Sequence, residues 1–217
     1  LIVPHARYLL DYGALPKELA CTYTCSGLTA YSALQKAKSR ADGGKLLVLG
    51  AGGVGLAAMA IARSVTDAEI YVADIDPAKR EAGIKAGAVG AIDPSDPAAF
   101  KTFMGMTGGG VNATIDFVGA ESSAAFGVKV LAKGGKLVIV GLFGGSFTLP
   151  LPMFPIKAIS VQGSYVGNLR EMRELMDLAK SGKLNELAIT PRPMKEAYHT
   201  LEDLRAGKIV GRVVLQS

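Results

Sequence analysis

Short apolar segments alternate with helix-like segments through the middle of the chain. Residues 45–50 are continuously apolar after Lys45, which is typical of a strand buried on both faces of a parallel sheet. An Ala- and Leu-rich stretch at 54–64 predicts a helix, and residues 69–74 predict a second strand. Alternation at this spacing indicates parallel strands joined by right-handed crossovers, so the expected fold class is α/β with a doubly wound parallel sheet.

The same alternation continues to residue 163. Asp76 followed by Pro77 predicts a helix N-cap with proline in the first turn, and Asp96 with Pro97 repeats that start signal. The other elements expected here are a helix extending to residue 86, strands at 89–92 and 112–118, a helical segment ending near 106, a helix at 121–131, and strands at 136–140 and 159–163. A proline-rich passage interrupts the pattern before the last of these strands.

The two ends of the chain follow a different pattern. The elements expected there are short strands at 1–3 and 8–10, a helical region extending to Lys38, an amphipathic helix at 168–180, a helix at 194–206 and a strand at 209–215. We therefore expect both ends to belong to a second unit packed beside the sheet. The first residue is Leu1 and not methionine, which leads us to expect that the chain is part of a longer protein.

Composition narrows the class of protein. With 49% hydrophobic and 20% charged residues, the chain is expected to fold as one or two globular domains. The net charge of +5 is not concentrated in a basic block, which argues against a nucleic-acid partner. The uncharged stretch at 46–62 is shorter than the roughly 20 residues of a membrane span. Two cysteines are too few for a disulfide-stapled secreted fold, so we expect a cytoplasmic protein without a membrane partner.

A glycine-rich turn lies between the first strand and the following helix. Its sequence is Gly50-Ala51-Gly52-Gly53-Val54-Gly55, which matches G-x-G-x-x-G. In such a turn the first glycine permits the bend, the second lets the backbone approach a pyrophosphate, and the third lets helix and strand pack closely. The free N–H groups at the helix start favour an anion there. Strand, turn and helix in this order predict a dinucleotide site.

An acidic residue at the end of the second strand supports this interpretation. Asp74 lies 19 positions after Gly55, where a carboxylate accepts hydrogen bonds from the adenosine ribose and repels a 2′-phosphate. This favours NAD over NADP, and Lys79 is expected to reach the same ribose. The structural alternatives are a strand-end cap for Asp74 and a solvated charge for Lys79. A methyltransferase that binds S-adenosylmethionine is the main rival for such a sheet, although it would not need Gly55.

Three motifs together give the chain a family resemblance. They are the glycine turn with Asp74, the segment Cys25-Ser26-Gly27-Leu28-Thr29-Ala30-Tyr31, and the ending Gly207-Lys208-Ile209-Val210-Gly211-Arg212-Val213-Val214. The chain thereby resembles the C-terminal two-thirds of medium-chain dehydrogenases/reductases, in their zinc-dependent alcohol dehydrogenase branch. The resemblance implies a remnant of a GroES-like catalytic domain at 1–26, an NAD-binding Rossmann domain at 27–163, and a segment at 164–217 that returns to the catalytic domain.

The resemblance also implies roles for individual residues. Cys25 would be one ligand of a catalytic zinc, and Thr29 would contact the nicotinamide side of the coenzyme. The residues implied in coenzyme binding are Thr29, Gly50, Gly52, Gly53, Val54, Gly55, Asp74, Lys79, Val118, Val140, Gly141, Leu142, Gln162 and Arg212. The alternatives are a buried structural cysteine at 25, a helix-capping Thr29 and a surface charge at Arg212. His5 and His199 match no motif and are interpreted as structural.

The implied reaction is hydride transfer between an alcohol and an aldehyde or ketone, with NAD as coenzyme. Zinc lowers the pKa of the bound alcohol, and NAD accepts the hydride. Catalytic zinc needs about three protein ligands, and the remaining ones would lie outside this chain, which alone should bind NAD without catalysis. A Cys21–Cys25 metal pair is a minor alternative.

Two other functions remain open at this point. One is a zinc-free quinone or enoyl reductase of the same superfamily, and the other is a non-catalytic dinucleotide-binding module. The family also implies a homodimer or homotetramer that pairs near residues 144–151.

Overall fold

Six parallel strands form the central sheet of the computed structural model, which describes residues 2–217. The strands are β1 (Lys45–Leu49), β2 (Glu69–Ala73), β3 (Gly90–Ile92), β4 (Val111–Asp116), β5 (Leu131–Ile139) and β6 (Ser160–Gly163). Their order across the sheet is β3-β2-β1-β4-β5-β6, so the direction of winding reverses between β1 and β4. The predicted α/β class with a doubly wound parallel sheet is confirmed.

Helices cover both faces of this sheet. They are α1 (Lys17–Thr22), α2 (Leu28–Ala41), α3 (Gly53–Ala62), α4 (Pro77–Lys85), α5 (Ala99–Thr107), α6 (Glu121–Lys129), α7 (Met153–Lys157), α8 (Leu169–Lys180) and α9 (Ala197–Arg205). A π-helical turn at Tyr23–Gly27 joins α1 to α2, and 3-10 turns occur at Ala6–Tyr8 and Met194–Glu196. None of the helices among residues 2–217 is both long enough and apolar enough to cross a membrane.

The core has two layers because successive side chains of β1 point to opposite faces. Leu46 and Val48 pack with α2, α3 and α8, while Leu47 and Leu49 pack against the aromatic layer around Phe103 on the other side. All four β1 side chains are buried. Burying each of these side chains stabilises the fold by about 1.5–3 kcal/mol relative to leaving it exposed. Because both faces of the strand are buried, residues 46–49 are all apolar.

Of the two helix N-caps predicted from Asp-Pro pairs, the structure contains the one at Asp76 and not the one at Asp96. The Asp76 carboxylate accepts the Ala78 N–H at 2.9 Å, as expected for an N-cap with Pro77 in the first turn. Asp96 behaves differently, because its carboxylate accepts the Ala98 N–H at 2.7 Å and thereby closes a turn. Helix α5 then begins at Ala99 with Ala98 as its N-cap, two residues later than the predicted start.

The strand predicted at 8–10 is wrong. Tyr8 belongs to a 3-10 turn, in which the His5 ring Nδ1 accepts the Arg7 N–H at 3.0 Å, and Leu9 is exposed. A strand needs a neighbour to satisfy its backbone, and within residues 2–217 this segment pairs with none. Of the strand predicted at 1–3, residue 1 lies outside the described residues, and Ile2 and Val3 form no strand.

Two further strands form a small parallel sheet beside the main one. Strand β7 (Ile189–Pro193) pairs with β8 (Arg212–Gln216), which begins three residues later than predicted. The pattern did not predict β7, because Pro191 and Pro193 argue against a strand; both are tolerated in this two-stranded edge position. The sequence pattern also missed helix α7, which contains Pro155 of the proline-rich passage, and the first five residues of β5, which contain the pair Gly134-Gly135.

Candidate functional site

The glycine-rich turn connects β1 to α3 at the carboxyl edge of the sheet. Gly50 has φ of +86°, a backbone conformation that favours glycine, and a Cβ there would lie 2.7 Å from Val118 Cγ2. A Cβ on Gly55 would overlap the Gly50 carbonyl oxygen, so α3 packs against β1 at a distance that only glycine permits. A Cβ on Gly52 would meet open space instead. The turn is therefore closely packed at Gly50 and Gly55, and space for a ligand is left beside Gly52.

The start of α3 presents unpaired backbone donors to this opening. Gly52 is the N-cap residue and has no side chain with which to cap the helix, while its carbonyl accepts the Leu56 N–H at 2.9 Å. The first N–H groups of a helix, here including Gly53 and Val54, have no intrahelical acceptor and carry partial positive charge. This geometry suits an anionic group such as a phosphate.

Arg212 adds a full positive charge at the same place. A Cβ built on Gly53 would lie 2.5 Å from Arg212 Cδ and 2.9 Å from its Nη1, so the arginine side chain passes directly over this glycine. The backbone N–H of Arg212 is fixed by the Ala188 carbonyl at 2.9 Å. The last strand of the chain thus brings a guanidinium group to the N-terminus of α3, where it increases the attraction for an anion.

Asp74 connects the end of β2 to the glycine turn. One carboxylate oxygen, Oδ2, accepts the Ala51 N–H at 2.8 Å, and the other, Oδ1, accepts the Asp76 N–H at 2.9 Å. Each oxygen of a carboxylate has a further lone pair, so two more donors can be accepted. The residue is half-buried. Asp74 therefore caps the end of its own strand, which was the structural alternative to a role in coenzyme binding. It also lines a cavity at the carboxyl edge of the sheet, where it can accept further hydrogen bonds.

A cavity of about 320 Å³ opens between the carboxyl ends of β1, β2 and β4. It is mostly apolar with a few polar groups, which is typical of a small-molecule site. Its lining residues are Leu49, Gly50, Ala73, Asp74, Ile75, Pro94, Ser95, Val118, Ala120, Ser122, Ser123 and Phe143. Lys79 lies in α4 and does not line this cavity, and its Nζ is 3.8 Å from the Asp76 carboxylate.

A completely buried carboxylate organises the other side of this cavity. Asp116 Oδ1 accepts the N–H groups of Val118 and Gly119 at 2.9 and 3.0 Å, and Oδ2 accepts the Ser123 hydroxyl at 2.8 Å. A buried charge is tolerated only with such a set of donors. Our sequence interpretation assigned no role to Asp116; the signal was an acid that ends an otherwise apolar strand.

The ends of β4 and β5 approach each other through two glycines. A Cβ on Gly119 would overlap the Gly141 carbonyl, and a Cβ on Gly141 would overlap the Val118 backbone. The predicted coenzyme contacts lie around this crossing: Val140 is buried, whereas Val118 and Leu142 are exposed at the carboxyl edge. These residues form a continuous ledge next to the glycine turn.

The loop after β6 contains two unusual features. Gln162 is half-buried in β6, in register with Val138. Ser164 follows the strand, and its Oγ is buried without a hydrogen-bond partner among residues 2–217. Val166 has φ of +50°, which is strained for a β-branched residue. Strain and unpaired polar groups of this kind often occur at functional sites, which makes this loop a candidate part of the site.

Cys25 and Thr29 lie on the helical segment that precedes β1. Cys25 is exposed on the π-helical turn, and Thr29 is half-buried in the first turn of α2. Short π-helical turns often occur at functional sites. Cys21, also exposed, lies four residues earlier, and its Sγ contacts the Glu18 carbonyl at 3.3 Å.

The described residues do not form a complete zinc site. Residues 2–217 contain no group of three or more His, Cys, Asp or Glu side chains that could hold a metal ion. A zinc ion needs about three protein ligands, so Cys25 alone is insufficient. By contrast, the glycine turn, Asp74 and Arg212 fit a dinucleotide, since they offer backbone donors and a cation for phosphates and an acceptor for a sugar.

Known proteins resemble this chain along nearly its whole length. The sequence model of the zinc-binding dehydrogenases matches residues 53–181, which is more than half of the chain. The chain belongs to the zinc-binding dehydrogenase family. The predicted family membership is thus confirmed, and the matched region of this zinc-binding dehydrogenase contains most of the site described above.

Individual relatives agree with this assignment. NAD-dependent alcohol dehydrogenases of Sulfurisphaera tokodaii and Saccharolobus solfataricus are each 36% identical to it over 99% of this chain. The chain spans 62% of the length of these curated relatives. Among solved structures, the alcohol dehydrogenase of the archaeon Aeropyrum pernix matches with a TM-score of 0.85 and 31% identity, covering 94% of this chain and 60% of that one.

A second solved structure contains metals. It is a thermostable alcohol dehydrogenase from Pyrobaculum aerophilum with bound cobalt and zinc, and it matches with a TM-score of 0.83 and 27% identity. The match covers 99% of this chain and 61% of that chain. The zinc-binding dehydrogenase described here therefore shares its backbone fold with enzymes that act on alcohols.

Proposed function

We propose that the cleft binds NAD. The observation that carries this proposal is the convergence of the open glycine turn, Asp74 and Arg212 on one edge of the sheet. The pyrophosphate would bind at the start of α3, between its N–H groups and the Arg212 guanidinium. The adenosine half would then occupy the 320 Å³ cavity, with its ribose hydroxyls donating to Asp74.

Asp74 also favours NAD over NADP in this proposal. A 2′-phosphate on the ribose would bring two negative charges against a half-buried carboxylate. Lys79 is proposed to contact the same ribose. Its ammonium lies 3.8 Å from the Asp76 carboxylate, so part of its charge is already neutralised and it offers little to a phosphate.

The nicotinamide half would extend over the ledge formed by β4, β5 and β6. The cavity extends from the end of β2, at Asp74, to the end of β4, at Val118, so a dinucleotide whose ribose binds Asp74 would place its other half beyond Val118, toward β5 and β6. The residues proposed to contact it are Val118, Val140, Gly141, Leu142, Gln162 and Thr29. When bound, NAD supplies a hydride acceptor, and these residues would hold it in place and shield it from water.

For the whole protein we propose hydride transfer between NAD and an alcohol or its aldehyde or ketone. The names of the relatives support this activity and do not favour the zinc-free reductase or the non-catalytic module. Cys25 is proposed as one zinc ligand, with the others outside these 217 residues. Because the described residues complete no metal site, the chain alone should bind NAD without oxidising alcohols.

Asp74→Ala tests the proposed coenzyme site. Removing the charged acceptor should weaken NAD binding to the 217-residue chain about tenfold or more, since hydrogen bonds to charged groups contribute about 1.5–3 kcal/mol. It should also reduce the preference for NAD over NADP, because the repulsion of the 2′-phosphate is lost. Isothermal titration calorimetry with both coenzymes measures the two effects.

Asp177→Ala is the matched control, since this aspartate is exposed on α8 and pairs only with Lys180. It should leave both affinities unchanged. The proposed function is wrong if the wild-type chain gives no heat of binding with NAD, or if Asp74→Ala binds both coenzymes as the wild type does.

We further propose that two copies pair through the β6 edge. Within residues 2–217, strand β6 pairs with β5 on one side and has no strand on the other, and Ser160 and Val161 are exposed. Leu151 and Ile156, in the adjoining proline-rich passage, are 80% and 71% exposed. An unpaired edge with apolar side chains beside it favours association into a dimer or tetramer.

A further inference from the structure

One guanidinium nitrogen of Arg80 joins two loops at the carboxyl edge of the sheet. Its Nη1 donates to the Asp74 carbonyl at 2.7 Å, to the Ile75 carbonyl at 3.0 Å and to the Asp93 carboxylate at 3.2 Å. Asp74 and Ile75 belong to the loop between β2 and α4, whereas Asp93 begins the loop after β3. Arg80 therefore fastens the two loops to each other.

Both loops contribute to the wall of the 320 Å³ cavity. Ile75 lines it from the first loop, and Pro94 and Ser95 line it from the second. The positions of these lining residues set the shape of the space that a ligand must fit. Arg80 does not line the cavity itself, so any effect that it has on a ligand must pass through the residues that it holds.

Asp93 is held in place on its other side as well. Its Oδ1 accepts the Ser95 N–H at 2.9 Å and the Ser95 hydroxyl at 2.6 Å. These two hydrogen bonds, and then the Arg80 charge, lower the pKa of Asp93 from its ordinary value. Asp93 therefore stays ionised near neutral pH. Its carboxylate binds Arg80 through one oxygen and Ser95 through the other, so it connects these two residues.

We propose that Arg80 and Asp93 are positioning residues for the adenosine half of the coenzyme. This inference rests on the proposed function, because it assigns the cavity to adenosine. Arg80 fixes Ile75 and Asp93 fixes Ser95, so the pair holds two residues of the cavity wall in place before the coenzyme arrives. Preorganisation of this kind increases affinity, because less ordering is needed on binding.

The Arg80–Asp93 ion pair differs from the exposed Lys85–Glu81 ion pair of helix α4. Lys85 and Glu81 are 2.8 Å apart, but their side chains are 73% and 67% exposed, and both lie on α4. The side chains of Arg80 and Asp93 are only 23% and 31% exposed, and they connect different loops. Lys85→Met is therefore a matched control that removes an α4 cation without loosening the cavity.

The experiment measures AMP and NAD binding to the 217-residue chain by calorimetry. Arg80→Met should lower the affinity for AMP and the affinity for NAD by the same factor, about tenfold, because the substitution affects only the site of the adenosine half, which both ligands contain. Arg80→Lys should restore part of the affinity, since an ammonium can donate to the same oxygens from a side chain that is one bond shorter. Lys85→Met should bind as the wild type does.

Asp93→Asn keeps the test valid if Arg80→Met fails to fold. It should weaken AMP binding in the same direction, and in a folded double variant the two losses should not add, since both break one connection. Unchanged AMP affinity in folded Arg80→Met or in Asp93→Asn would overturn the inference. Failure of the wild-type chain to bind AMP or NAD would instead contradict the proposed function.

Discussion

Gly52 and Gly55 lie in the same turn and differ in their surroundings. A methyl group on Gly52 would point into open space, where the phosphates of the coenzyme are proposed to bind. The backbone there, with φ of −74° and ψ of −168°, is accessible to alanine. A methyl group on Gly55 would overlap the Gly50 carbonyl oxygen, which is backbone and cannot move aside. One glycine is thus needed for the ligand and the other for the fold.

This contrast predicts separate effects of two small substitutions. Gly52→Ala should leave the midpoint of thermal unfolding nearly unchanged and weaken NAD binding, because its Cβ occupies the space of the pyrophosphate. Gly55→Ala should lower the free energy of unfolding by about 1–3 kcal/mol or more through overpacking. Thermal denaturation and calorimetry of both variants check these effects. Equal loss of stability in the two variants would contradict this interpretation of the turn.

At the scale of elements, Asp203 fastens α9 to the small sheet. Its carboxylate accepts Arg192 Nη1 at 2.8 Å and lies 3.7 Å from Lys208 Nζ and 3.5 Å from His199 Nε2. The hydrogen bond from Arg192 is the main cause that lowers the pKa of Asp203 from its ordinary value of 3.8. The carboxylate is therefore more stable in the folded chain than in the unfolded one.

The pH dependence of stability follows from this direction. A carboxyl group whose pKa is lowered by folding stabilises the fold fully above its unfolded pKa, and that stabilisation is lost as the pH falls below 3.8. Asp203→Asn should therefore lower the unfolding midpoint at pH 7, and its difference from the wild type should shrink in acid. Denaturation curves between pH 3 and pH 7 measure this; a difference that grew in acid would contradict it.

Particular elements explain what the sequence could and could not predict. Strand β1, the glycine turn and Asp74 were predictable because burial on two faces and close packing restrict the residues that fit. Strand β7 was not, since its prolines argue against a strand until β8 is known to lie beside it. Asp116 and Arg80 were missed because their roles depend on hydrogen bonds between distant loops, which leave no periodic pattern.

At the scale of the whole molecule, the open β6 edge predicts self-association. Val161→Lys places a charge on this edge, and pairing about a two-fold axis would bring the two lysines close together. The wild-type chain should sediment as a dimer or tetramer at micromolar concentration, and Val161→Lys should shift it toward monomer.

Ile84→Lys is the control for this experiment, because Ile84 is 44% exposed on α4, far along the sheet from β6. It adds the same charge and should leave the sedimentation coefficient unchanged. A monomeric wild type would contradict pairing through this edge. A shift caused equally by Ile84→Lys would show that net charge, and not β6, controls association, since a lysine anywhere on the surface would then weaken it.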